Sequence, residues 1–327
     1  MTTVGCPPAP VEPHDRPPVG PPVGRRRPTR ALLGAGLAGA VAVLALTAPE
    51  TATSPRGPAP VEQGPAADAP EEETTDSTPP PVEPDPSAMP VGDLPGWEQV
   101  FTDDFSTPVA LGSWSGSTYR TRWLGYDGFE DTSGAGRYDP DRVISVHDGT
   151  LDWYVHTADG AHRVAAMVPV NPETGWGQLY GRYSFRFRAD PLPGYKLVGI
   201  LWPDSDNWGE GEINFPEVGQ LTPDEPIYAN LFRIGDVPTG RPGEATRFTT
   251  ATPASGPDWH IATIEWTPGA VTTWLDGVAL GTFTQGVPDT SFHPVFQVET
   301  NLHGYPIDDA VAGHVQLDWV TMYRWSP

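Results

Sequence analysis

The sequence predicts an all-β domain of two packed antiparallel sheets occupying its last 230 or so residues, and three observations carry that reading. All 12 tryptophans lie from Trp97 onward, whereas more than half of the 41 prolines precede it, so the material for a core begins near residue 97. Residues 182–188 alternate Tyr183, Phe185 and Phe187 with Arg182, Ser184, Arg186 and Arg188, the period-two pattern of a half-buried strand. Two Asp-Gly pairs, Asp148-Gly149 and Asp276-Gly277, are each flanked by apolar runs, the strongest short-range signal for a hairpin.

Strand signals recur along the whole domain. Trp97 to Phe101 is the first, followed by a turn at Asp103-Asp104. Val143–Val146 and Leu151–Val155 flank the first Asp-Gly pair, and Val271–Leu275 and Val278–Leu280 the second. Ile261–Trp266 leads into that second hairpin through Pro268-Gly269, and Val295–Glu299 and Val315–Trp325 complete the series. Val198–Trp202 is an apolar run with a glycine near its start, a buried strand ending in the turn-rich Pro203 to Asn207. Helical periodicity is almost absent.

The next segment carries the chemistry. In Glu212-Ile213-Asn214-Phe215-Pro216-Glu217 the two glutamates stand five apart, which in a regular strand puts them on opposite faces. Proline donates no hydrogen bond to a ladder and is tolerated inside sheets at bulges, where one extra residue reverses the alternation. A bulge at Phe215-Pro216 therefore brings Glu217 alongside Glu212 and Asn214. Paired carboxyl groups on one face are the minimum equipment for cleaving a glycosidic bond. Two glutamates at this spacing are by themselves more often solvated surface; their place between strand signals raises the chemical reading.

Composition narrows the alternatives. The chain of 327 residues carries a formal charge of −23, and residues 97–327 hold 30 Asp and Glu against 13 Lys and Arg. Such a surface repels nucleic acid and anionic lipid and favours a neutral substrate. Cys6 is the one cysteine and precedes the domain, which therefore has no disulfide and no thiol nucleophile. The histidines show no metal-ligand spacing, so no cofactor is expected to be required, and the domain is expected to be a monomer.

Ahead of the domain, residues 1–30 form a basic, proline-rich segment ending in Arg25-Arg26-Arg27-Pro28-Thr29-Arg30. Residues 31–48 are uncharged and mostly apolar, and as a helix would reach about 27 Å. They fit either the h-region of a signal peptide or a transmembrane signal anchor, and the arginines on their N-terminal side predict export of the chain beyond them. Residues 49–96, rich in Pro, Glu and Thr, have too few apolar groups to fold and read as a disordered tether. The domain is thus expected outside the cytoplasm, secreted or held at the cell surface, with residues 31–48 as the only membrane contact if they are uncleaved.

From Phe101 to Trp325 the chain resembles glycoside hydrolase family 16, the laminarinase and β-glucanase group. The residues that carry the resemblance are the acidic segment itself, Tyr180-Gly181-Arg182-Tyr183 and Leu201-Trp202-Pro203 before it, and Trp259-His260, Glu265-Trp266-Thr267-Pro268, Leu275-Asp276-Gly277 and Asp318-Trp319-Val320 after it. The resemblance implies a β-jelly-roll sandwich of the concanavalin A-like lectin and glucanase type, with a concave substrate cleft, and endo-acting hydrolysis of a β-linked polysaccharide with retention. Carried over by position, Glu212 is the nucleophile and Glu217 the acid/base; the chain departs from the pattern at Asn214, where aspartate is usual, and at Phe232, where a histidine is frequent. Transglycosylation at the same site and non-catalytic, lectin-like glycan binding remain open beside hydrolysis.

Trp208, Trp202 and Trp176 are the candidate sugar platforms, since indole faces offer flat apolar area and an N–H for a hydroxyl. Gln297 and Glu299 fall on a strand that lines the family's cleft. Asp318 matches a position near a structural calcium in some relatives, although a lone carboxylate establishes no such site. Asn214 donates to Glu212 without adding a third negative charge, so an activity optimum at lower pH than in an Asn214→Asp variant is expected.

Overall fold

The computed structural model describes residue 85, residues 87–253 and residues 255–327. The expectations for residues 1–84, including Cys6 and the apolar stretch 31–48, lie outside these. Among the described residues no helix is long and apolar enough to cross a membrane.

The described residues form sixteen strands. In chain order the first eight are β1 (Trp97–Asp103), β2 (Trp123–Gly125), β3 (Gly136–Tyr138), β4 (Ile144–His147), β5 (Thr150–Ala158), β6 (Ala161–Pro169), β7 (Gly181–Ala189) and β8 (Tyr195–Pro203). The second half contributes β9 (Glu212–Val218), β10 (Pro226–Phe232), β11 (Ala245–Pro253), β12 (His260–Thr267), β13 (Ala270–Leu275), β14 (Val278–Phe283), β15 (Phe292–Thr300) and β16 (Gly313–Trp325). An α-helical turn, Pro140–Val143, starts at Asp139, whose side chain accepts from the Arg142 amide.

One layer runs β11-β10-β9-β8-β15-β6 and the other β5-β16-β7-β12-β13-β14, with the β5–β6 hairpin carrying the ladder between them. Closing the sheet almost completely on itself in this way makes the curved sandwich expected of a jelly roll. Alternation explains the core. Phe185 of β7 meets Phe296 of β15 edge-on across the layers at 4.7 Å, and Trp266 of β12 meets Phe292 of β15 at 5.3 Å. Both Asp-Gly turns are where the sequence puts them: Asp148 and Gly149 have φ of 51° and 73°, Asp276 and Gly277 of 50° and 78°. Two consecutive positive φ values are what a type I′ hairpin turn requires.

The domain begins upstream of Trp97. Leu94 bridges Trp97, the Ser87 carbonyl accepts the Trp319 indole N–H at 2.9 Å, and the Gln99 side-chain amide donates to the Pro90 carbonyl. Residues 87–96, assigned by composition to the tether, are thus tied to β1 and β16 by hydrogen bonds, which need backbone carbonyls and not the apolar side chains that composition measures.

Candidate functional site

The acidic segment is β9, and its register shows the extra residue. Val198 of β8 pairs Glu217 and Ile200 pairs Asn214, so two steps on β8 span three on β9. The same slip occurs on the other side, where Tyr228 pairs Glu217 and Asn230 pairs Asn214. The bulge lies at the cis Phe215-Pro216 bond. Ile213, Phe215 and Val218 point into the core, leaving Glu212, Asn214 and Glu217 together on the outer face. Gly199, in the gap of the β8 register, makes room: a Cβ there would meet the Phe215 carbonyl oxygen at 2.7 Å.

The pairing sets up rows across the outer face. Ala166, Gln297, Val198, Glu217 and Tyr228 form one, and Val295, Ile200, Asn214, Asn230 and Arg247 the next. At their centre one amide group joins the acids, for Asn214 Nδ2 donates to Glu212 Oε1 at 2.7 Å and to Glu217 Oε2 at 3.1 Å. Those two oxygens cannot be farther apart than the sum of 2.7 and 3.1 Å. Asn230 also donates to Glu217 Oε2, and Arg247 Nε donates to Asn230 Oδ1 at 2.7 Å.

Burial pushes the Glu212 carboxyl up to about 7; the charge of Glu217 adds to this, and the Asn214 amide, the Lys196 ammonium and the Trp208 indole oppose it. Lys196, the only lysine in the chain, stands on β8 and is itself pushed down by burial, against the charges of Glu217, Asp131 and Glu212. Its Nζ lies 2.6 Å from Glu299 Oε2. Burial likewise pushes Glu299 up to about 8, with the charge of Asp131 adding to it and hydrogen bonds from Thr132 opposing it. Burial thus drives both members of the pair toward their uncharged forms, while the neighbouring carboxylates favour the ionised lysine and the Thr132 hydrogen bonds the ionised Glu299.

The aromatic candidates divide. Trp208 is 41% exposed, stands in the 3-10 turn Trp208–Glu210 just before β9, and packs on Phe232, the cross-strand partner of Glu212. Trp202 is half-buried on the outer face of β8, its indole N–H bonded to Asp206. Trp176 packs at 4.4 Å on His293, the partner of Trp202 across β8 and β15, and His293 is held by Asp204 at 2.9 Å. Gln297 is half-buried in the row of Glu217.

Two candidates are placed differently from expectation. Glu299 shares the outer face with Gln297 but is wholly buried, hydrogen-bonded by Thr132 and Tyr138 and ion-paired with Lys196, because the β3 region folds over it. Its carboxyl group is out of contact with solvent. Asp318 is on the other layer, and its carboxylate is taken by Arg186 at 2.5 Å, so a guanidinium supplies the positive charge there. Among the described residues no group of three or more His, Cys, Asp or Glu is arranged to hold a metal ion.

Glu212 and Asn214 are buried, and Glu217 is half-buried beside them. Surface hollows lined by Asp103, Thr107 and Tyr119, and by Ser133, Asn301 and Tyr305, lie away from them. Sequence reasoning missed Lys196, Asn230 and Arg247. For Lys196 a signal existed, since a single lysine inside an apolar strand pattern is costly to bury without a partner.

No family model matches the chain, and no curated protein matches its sequence. Many solved structures do resemble it. The laminarinase from Rhodothermus marinus superposes with a TM-score of 0.57 at 20% identity, over 71% of this chain and 98% of that one. A variant of LamA from Zobellia galactanivorans in complex with laminaritriose and laminaritetraose gives 0.54 at 15% identity, over 69% and 98%. A non-specific endo-β-1,3(4)-glucanase of glycoside hydrolase family 16 gives 0.55 at 17% identity, over 72% and 94%. The chain has the fold of the family 16 laminarinases and β-glucanases.

Proposed function

We propose that the domain is a retaining, endo-acting glycoside hydrolase of a neutral β-linked polysaccharide of the β-glucan kind. The observation that carries this reading is the single Asn214 amide donating to both glutamates, a bridge that only a bulged β9 allows. The bound it sets on the oxygens is below the roughly 6.5–9.5 Å that leaves room for a water between carboxyl groups, and compatible with the about 5–5.5 Å of a double displacement.

In that mechanism ionised Glu212 attacks the anomeric carbon while Glu217 gives its proton to the departing glycosidic oxygen, so the glycosidic bond breaks as the ester bond forms. Esterification removes the charge of Glu212. Glu217, now a carboxylate, takes a proton from water, whose oxygen attacks the anomeric carbon and releases Glu212. Lys196 and Asn214 favour the ionised nucleophile against its burial, and the reaction asks for no cofactor. The net negative charge of the domain suits an uncharged glycan.

The test is hydrolysis by the purified domain of laminarin, lichenan, galactan and agarose, with Glu212→Ala and Glu217→Ala alongside. Release of reducing ends from one of these, lost in both variants, is expected; glycan binding without hydrolysis in the unaltered domain would make it a binding module instead. The arginine-led apolar stretch before the domain supports, in the same proposal, a location outside the cytoplasm. A reporter fused after residue 96 is expected to be active only if exported, and cytoplasmic activity would contradict that placement.

A further inference from the structure

Asn230 and Asn214 both donate to Glu217 Oε2, but their amides are oriented by different means. Asn214 has its Nδ2 between the two carboxyls, and its Oδ1 is buried without a partner. Asn230 has its Oδ1 taken by Arg247 Nε at 2.7 Å. A guanidinium has five N–H donors and no acceptor, and it does not lose its proton in proteins. Arg247 therefore can face only the oxygen of Asn230, which obliges the other end of that amide to be the donor that meets Glu217.

Arg247 itself is held in place. It comes from β11, the exposed edge strand of the layer, in cross-strand register with Asn230, and its guanidinium lies 4.4 Å from the centre of the Tyr228 ring. Tyr228 is in turn the cross-strand partner of Glu217. The chain of contacts runs from an edge-strand cation, through one amide, to one named oxygen of the acid/base.

We propose that Arg247 is a positioning residue for Glu217, acting through Asn230. This rests on the reading of Glu217 as the acid/base. With both amides bound to Oε2, the proton of Glu217 is carried on Oε1, the oxygen left free for the glycosidic oxygen of a substrate. Loss of Arg247 frees the Asn230 amide to turn, and with it the direction in which the proton is presented.

The test compares Arg247→Met and Arg247→Lys with the unaltered domain on the glucan it hydrolyses and on aryl glycosides of the same oligosaccharide. Arg247 is exposed at an edge strand, so both variants are expected to fold. A good leaving group such as dinitrophenolate departs without protonation, whereas a sugar or phenol needs the acid. Arg247→Met is expected to lose on the order of tenfold to a hundredfold in kcat/KM on glucan and phenyl glycoside, and to stay within about threefold on the dinitrophenyl glycoside. Arg247→Lys, which keeps one donor for Asn230, recovers part of the loss. Equal losses on both kinds of leaving group, or none, would overturn the proposal.

A second measurement needs no activity. The Asn230 side-chain amide, identified by its absence in Asn230→Ser, is tracked by nitrogen-resolved NMR. Its resonance is expected to move in both Glu217→Gln and Arg247→Met, and an unmoved resonance in Arg247→Met overturns the relay. If the unaltered domain hydrolyses no β-glycan, the proposed activity fails while this arm still decides the role of Arg247.

Discussion

Replacing Asn214 by aspartate removes a donor from Glu212 and places a third carboxylate between two others. The lost contact, Nδ2 to Oε1 at 2.7 Å, is a hydrogen bond to a charged group. Such bonds contribute about 1.5–3 kcal/mol. At roughly 1.4 kcal/mol per pH unit, its loss moves the titration of Glu212 by about one to two pH units, before the added repulsion is counted. The sign depends on which form is favoured. The amide stabilises the carboxylate, so without it the carboxyl of Glu212, already near 7 through burial, holds its proton to higher pH. The acid limb of kcat/KM reports the free enzyme. Measured on a soluble β-glucan, that limb is expected near pH 7 in the unaltered domain and about one to two units higher in Asn214→Asp. An unmoved limb, or one displaced to lower pH, refutes the account of Asn214.

Three further expectations concern the same site. Glu212 has a raised folded-state value against an ordinary 4.5, so its contribution to stability is present below about pH 4.5 and lost as pH rises through about 7. Glu212→Gln avoids that loss, worth on the order of 3 kcal/mol at pH 8. Its melting temperature relative to the unaltered domain should therefore rise between about pH 5 and pH 8, and a constant difference would show that Glu212 is not held protonated. Gly199→Ala drives a methyl group against the Phe215 carbonyl and should cost about 1–3 kcal/mol while lowering kcat, as read by thermal melts and initial rates; normal stability and kcat would mean that the bulge tolerates a side chain there. Trp208→Ala should raise KM for the polysaccharide by about two- to tenfold with a smaller effect on melting temperature than loss of a core tryptophan, since Trp208 is 41% exposed. An unchanged KM would remove Trp208 from the binding surface.

The parts of the fold legible in the sequence were those written locally. Asp148-Gly149 and Asp276-Gly277 name their hairpins because few other residues adopt two successive positive φ values, and Pro216 marks the bulge because it cannot join a ladder. Strands β6 and β11 were not legible as such. In β6, Val164 to Val168 are buried on both faces and show no alternation, and β11 is an exposed, threonine-rich edge. The supporting residues of the site were hidden for a different reason. Lys196 meets Glu299 only because β8 pairs β15, and Arg247 meets Asn230 only because β10 pairs β11, so neither partnership exists until the sheet is assembled. The same assembly buries Glu299 under the β3 region, an outcome that its strand alternation with Gln297 could not reveal.

The central claim is that the bulge in β9 brings Glu212 and Glu217 close enough to act on one saccharide by two successive displacements. Proton NMR of the reducing end in the first minutes of glucan hydrolysis, before mutarotation, tests it most directly. The account predicts that the β-anomer appears first; initial release of the α-anomer would show a water acting between two more distant carboxyl groups and would contradict it.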